Sequence, residues 1–170
     1  MGKLILDKLY NRKGTDCVKW DHKDFVDSRV SDTALPLWLS DMEFKVADEI
    51  TEALIKRVEH GFLGHSMPGD SYFESVQGWY KRRFNWTISK DSIFYSPGVL
   101  PALGFILRGF TKKGEGVIIQ EPVFYPFAEL IEGTDRKIVN NQLINNDENY
   151  SIDFIDLENK LKDPNNTMLI

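Results

Sequence analysis

One cysteine, Cys17, stands in a chain of 170 residues, so an internal disulfide and a thiolate metal cluster are both excluded from it. That scarcity fits a reducing cytoplasm. Histidine is nearly as rare, and His22, His60 and His65 do not form a metal-ligand motif. Long apolar runs are missing too: Lys3, Asp7 and Lys8 interrupt the N-terminal apolar residues, and no later run approaches membrane-spanning length. Neither secretion nor membrane insertion is expected. Positive charge is in deficit, with a net charge of -5, and the densest basic run, Lys81-Arg82-Arg83, reads as the solvated end of a helix. A general nucleic-acid binder is thereby excluded. Internal repeats and low-complexity segments are absent as well.

What is present is an ordinary soluble composition, 42% hydrophobic and 28% charged, in a chain long enough for one domain with a substantial core. Its central stretch is Ser96-Pro97-Gly98-Val99-Leu100-Pro101-Ala102. Before it, residues 91 to 95 form a short β-branched and aromatic run expected as a buried strand, and after it residues 103 to 110 read as an apolar helix. Gly98 lets the chain turn close to a ligand, and Pro101 suits a first helical turn. The N–H groups of Gly98, Val99 and Leu100 would then project from a helix N-terminus, a place that suits a phosphate ester. An ordinary strand-to-helix connection has the same local pattern, so the segment alone leaves both readings open.

Around it the chain alternates. Residues 1 to 31 are mixed and weakly periodic, with Trp20 and Phe25 as isolated anchors of an arm. An apolar run then ends at Ser40-Asp41-Met42-Glu43-Phe44, whose acids either line a site or, as spacing favours, cap the next helix. Residues 46 to 60 follow as an amphipathic helix stopped by Gly61. A glycine-rich loop holds His65, either a solvated imidazole or a functional one. Residues 72 to 84 resume a helix with Phe73, Val76, Trp79 and Tyr80 as its core face. Residues 117 to 120 and 167 to 170 read as buried strands and residues 137 to 139 as a short strand, with helices beginning near 127 and over 152 to 161. Pro122 and Pro126 keep Phe124 in a loop. Strands alternating with helices imply a parallel α/β sheet with ligands at the C-terminal strand edges.

With these residues laid out, the chain resembles the N-terminal half of a pyridoxal-phosphate enzyme of the class I/II aminotransferase type, fold type I, and within it the cystathionine β-lyase-like C–S lyase branch. The resemblance covers residues 15 to 170 and rests on five segments in order. These are residues 36 to 44, 57 to 65, 78 to 83, 96 to 102 and 122 to 127. It implies an α/β fold with an N-terminal arm and small-domain segment over residues 1 to 45, and part of a large cofactor-binding domain over 46 to 170. It implies that the amides of Gly98, Val99 and Leu100 hold the phosphate of pyridoxal 5'-phosphate and that Phe124 stacks on its ring. The backbone at Ser40 would lie beside the substrate carboxylate. His65 takes the position of a tyrosine that reaches the neighbouring subunit's phosphate in a homodimer, and an imidazole can still donate that bond.

The family's Schiff-base lysine, its aspartate partner for the pyridine nitrogen and its carboxylate-binding arginine match no residue of this sequence; Lys90 is a turn lysine. No catalytic residue is therefore assigned, and the 170-residue chain is expected to be inactive alone. The expected activity of the intact enzyme is β-elimination from an amino acid, giving pyruvate, ammonia and a thiol, with transamination as the alternative. A non-catalytic module docking on a partner chain is the reading from another class. Against it stands the apolar strand Met168-Leu169-Ile170, whose edge would be exposed in a free-standing module.

Overall fold

Val117, Ile118 and Ile119 are wholly buried, and the core of the C-terminal part of the molecule forms around them. In the computed structural model they form β1 (Gly116–Ile119), the middle strand of a parallel sheet ordered β2-β1-β5, with β2 at Lys137–Asn140 and β5 at Asn166–Leu169. A strand buried on both faces reads as a continuous apolar run, which is the pattern seen here. Gly116 is required by close approach: a Cβ there would come within 2.0 Å of Asn166 Oδ1 and 2.9 Å of Val139 Cγ2. The described residues are 7–25, 27–31 and 33–170, and the interrupted apolar stretch over residues 1–6, Lys3 included, lies outside them. They divide into two compact units, Met1–Gly69 and Asp70–Ile170.

In the C-terminal unit, helices α3 (Asp70–Phe84), α4 (Val99–Phe110), α5 (Pro126–Gly133) and α6 (Phe154–Leu161) accompany the sheet, with a small antiparallel hairpin of β3 (Ile144–Asn145) and β4 (Tyr150–Ser151). Leu107 of α4 and Ile131 of α5 pack with Val117 and Ile119 as the buried core, joined by Val123, Leu130, Ile138, Met168 and Ile170. Two short turns bring α4 into β1 and α5 into β2 side by side, since Gly114 N donates to Asp135 O at 2.7 Å and Lys137 N to Glu115 O at 2.9 Å. Both helices therefore end at the N-terminal edge of the sheet. Their N-termini lie toward its C-terminal edge, where an α/β sheet binds ligands.

Three expectations fail here, the first being the burial of residues 167 to 170: β5 is an edge strand, and Leu169 is 46% exposed. Residues 91 to 95 do not form a strand: Lys90–Ser92 is a short 3-10 turn, and the chain beyond it is extended without a ladder partner, leaving Phe94 87% and Tyr95 69% exposed. Composition favours extension, but a strand exists only when another strand accepts its hydrogen bonds. The aromatic face of α3 is likewise not core, for none of its residues is buried and Trp79 lies beneath the Arg83 guanidinium at 4.9 Å.

The N-terminal unit contains α1 (Val18–Asp21), a 3-10 turn at Lys23–Phe25 and α2 (Asp48–Glu59), which ends at Gly61 with φ of 77°. Its order comes from charge more than from apolar burial. Among the described residues, no helix of the molecule is long and apolar enough to cross a membrane.

Candidate cofactor site

Helix α4 begins without a cap. Its N-cap, Gly98, offers no side chain, and no acidic residue stands in its first turn. The other helices of eight residues or more each carry at least one acid there: Asp48 and Glu49 in α2, Asp70 in α3, Glu129 in α5 and Asp156 in α6. A helix N-terminus has unpaired N–H donors and about half a positive charge, which most helices answer with a carboxylate or hydroxyl of their own. At α4 the chain leaves that positive end unanswered. The turn before it is shaped by Ser96 Oγ, which donates to Gly98 O at 3.0 Å, and Gly98 O accepts in turn from Ala102 N at 3.1 Å.

The loop after β1 brings aromatic surface to the same edge of the sheet. Phe124 is half exposed, set edge-on to Phe127 with ring centres 5.6 Å apart and tilted against Tyr125 at 5.6 Å. Its ring is fixed by neighbours while one side stays open. Helices α4 and α5 approach closely at Gly104, where a Cβ would meet Leu130 Cδ1 at 3.5 Å. A cleft of about 320 Å³ lies along this seam, lined by Leu100, Pro101, Gly104, Phe105, Arg108 and Leu130 among others. A second, of about 380 Å³, borders the Phe124 loop at Glu121, Pro122, Val123, Tyr125, Ala128 and Gln142. Gly98, Val99 and Leu100 thus form one uncapped turn, and Phe124 sits before the adjacent helix. These residues fit a phosphorylated aromatic ligand: donors for the phosphate, an open ring face for the ring.

Ser40 and His65 belong to the N-terminal unit. Ser40 is exposed, and so is His65, in an irregular loop over residues 61 to 69. Beside Ser40, the acids expected to cap the next helix do something else. The N-cap of α2 is Ala47 and has no side-chain bond. Asp41 instead pairs with Arg12, whose guanidinium also donates to Met42 O at 3.1 Å, Glu43 Oε2 at 3.4 Å and Cys17 Sγ at 3.0 Å. Lys19, only 6% exposed, donates to Asp41 O at 2.8 Å and forms an ion pair with Glu43 Oε1 at 2.8 Å, while Trp20 Nε1 donates to Glu43 Oε2 at 3.0 Å. Lys19 and the Trp20 indole hold the Glu43 carboxyl below its ordinary range. Two cations of the arm therefore clamp both the backbone and the side chains of residues 41 to 43. Sequence spacing missed them because the partners lie more than twenty residues apart; the local signal was only two acids in an apolar run. Among the described residues, no group of histidine, cysteine or acidic side chains is placed to hold a metal ion.

A family model for class I and II aminotransferases matches residues 40–170. Cystathionine beta-lyase PatB of Bacillus subtilis is 42% identical over 167 residues, 98% of this chain and 43% of its own length. Protein MalY of Escherichia coli is 30% identical over 158 residues, 92% of this chain and 40% of its own. Cystalysin of Treponema denticola, whose crystal structure contains a pyridoxal 5'-phosphate cofactor, superposes with a TM-score of 0.89 at 38% identity, covering 99% of this chain and 43% of that one. The chain spans about two fifths of the length of these relatives.

Proposed function

The chain belongs to the family of class I and II aminotransferases, and on that premise we propose that it supplies the phosphate-binding and ring-stacking part of a pyridoxal-phosphate-dependent C–S lyase acting on amino acids. The observation that carries the reading is the uncapped, acid-free start of α4 at the ligand-binding edge of the sheet. The name of the relative with 42% identity, a cystathionine beta-lyase, supports elimination over transamination.

In this reading the N–H groups of Gly98, Val99 and Leu100 donate to the phosphate, and the helix end adds its partial charge. Phe124 presents its open face to the cofactor ring and fixes the plane of that ring. Pyridoxal phosphate, when bound, supplies an electron sink for the bond broken at the substrate α-carbon. The backbone of Ser40 lies beside the substrate carboxylate, with Met42 and Phe44 walling that side. His65 donates a hydrogen bond to the phosphate of a second subunit in a homodimer. Residues 1 to 45 serve as arm and small-domain segment and residues 46 to 170 as part of the large domain. In this reading none of the lysines of these 170 residues forms the Schiff base, and the chain alone is inactive. The whole enzyme, in the cytoplasm, releases pyruvate, ammonia and a thiol from a cystathionine-like amino acid.

Titration of tryptophan fluorescence with pyridoxal phosphate and with pyridoxal tests the phosphate part. The phosphorylated form is expected to bind at least about tenfold more tightly, the scale of charge-assisted hydrogen bonds. Equal affinity contradicts the reading. Pyruvate release from cystathionine tests the rest: the chain with cofactor shows none, and sustained turnover would place the catalyst within it.

A further inference from the structure

At the far end of α4 from the proposed phosphate site lies a buried cation that the proposed chemistry does not use. Arg136, 8% exposed, precedes β2 at the N-terminal edge of the sheet. Its Nε donates to Thr111 Oγ1 at 2.9 Å, its Nη2 to Leu107 O at 3.2 Å and Thr111 O at 2.6 Å, and its Nη1 to Thr134 O. Leu107 and Thr111 end α4, and Thr134 is the C-cap of α5. Every one of these acceptors is a neutral oxygen. A buried charge ordinarily needs an opposite charge. Here two helix C-termini, each with about half a negative charge, meet at one guanidinium, and the Asp135 and Glu115 carboxylates add their attraction to it without hydrogen-bonding it.

The planar fork of an arginine suits this task, since its donors point in fixed directions and reach both helix ends at once. Thr111 Oγ1 also donates to Leu107 O at 2.5 Å, and Thr134 Oγ1 to Leu130 O at 2.9 Å, so each helix end is tightened before the guanidinium joins them. Helix α4, at 12 residues, is about 18 Å long, and a small tilt at its anchored end moves its N-terminus by a larger distance. The opposite ends of these two helices carry the uncapped amides of Val99 and Leu100 and, one loop away, Phe124. We propose that Arg136 is a positioning residue: by tying the C-termini of α4 and α5 together it fixes where the phosphate-binding amides stand relative to the ring-stacking aromatic. The inference deepens the cofactor reading above and rests on it for its functional meaning.

The test uses the 15N-labelled 170-residue chain and its Arg136→Lys variant, which keeps the charge and loses the fork. A Met168→Ala variant, which removes volume from the same core and none of the Arg136 hydrogen bonds, serves as the control for lost stability. Residual dipolar couplings report the orientation of α4 and α5 against β1, and titration with inorganic phosphate reports the amides of residues 98 to 100. The expected result is a reorientation of α4 in Arg136→Lys and phosphate affinity weakened about fivefold, the scale of coupling between linked sites. Met168→Ala changes neither. If Arg136→Lys does not fold, Thr111→Val removes one acceptor of the fork and is expected to give the same two changes in smaller measure. Unchanged orientation in the folded arginine or threonine variant, or equal changes in the control, overturns the proposal. Reorientation without any phosphate response in the unsubstituted chain upholds the positioning role and removes the phosphate reading instead.

Discussion

Helices α4 and α6 belong to one compact unit, yet their N-termini are built in opposite ways. At α6, Asp153 is the N-cap and its Oδ1 accepts from Asp156 N at 2.9 Å, while Asp156 adds a second carboxylate to the first turn. At α4, glycine stands at the cap and the first turn has no acid. The difference is not one of helix-forming need. Helix α4 is apolar and secured by Leu107 in the core and by Arg136 at its C-terminus, so it can leave its N-terminal donors open. Helix α6 has no buried residue and is held by its cap and by the Asp156–Lys160 pair. A helix whose stability comes from packing is free to spend its terminus on a ligand.

Four changes break or sharpen that contrast. The largest effect is expected from Gly98→Asp, which gives α4 the carboxylate it lacks. A Cβ there meets only the Pro101 ring, at 3.5 Å from Cδ and 4.0 Å from Cγ, so the fold accommodates it. Phosphate affinity should fall at least about thirtyfold, from like-charge repulsion at close range, with the melting temperature unchanged or raised. Next is Val99→Pro, which deletes one N–H at a position where helices tolerate proline. About tenfold weaker phosphate binding is expected by calorimetry, the value of one hydrogen bond to a charged group, with helix content retained. Asp153→Ala reverses the test: α6 loses its cap at a cost of about 1 kcal/mol in chemical denaturation, and phosphate binding stays as it was. The smallest effect is with pH. Hydrogen bonds from Lys160 and then from the Asn141 amide hold the Asp156 carboxyl below the ordinary carboxylate range. A depressed carboxylate contributes stability that is present above its unfolded value and lost as pH falls through the folded one. The protection of the α6 amides, taken relative to their intrinsic exchange rates, should therefore fall as pH drops through and below the ordinary carboxylate range, and Asp156→Asn should remove the dependence.

Much of this architecture could be read from the chain. The unbroken apolar run Val117-Ile118-Ile119 marks a strand buried on both faces, and the prolines around Phe124 mark where its ladder stops. The segment over residues 91 to 95 shows the limit: Ile93, Phe94 and Tyr95 favour extension, but pairing is a property of another segment. The acids at Asp41 and Glu43 show a second limit. Their spacing suggested a cap for α2, while their partners, Arg12 and Lys19, are set by the fold of the arm. Arg136 gave no sequence signal, because its four acceptors are backbone and hydroxyl oxygens that any residues could have supplied in part. Within the candidate site, the uncapped turn at Gly98 was visible as a glycine before an apolar run. That its lack of acid sets it apart became evident only beside the other helices.

The central claim is that α4 keeps its N-terminus open for a phosphate. The most direct measurement is an amide correlation spectrum of the chain titrated with pyridoxal phosphate. The account predicts saturable downfield shifts at Gly98, Val99 and Leu100, with ring-current shifts near Phe124 and none at the first turn of α6. Shifts scattered over surface lysines, with residues 98 to 100 unmoved, would contradict it.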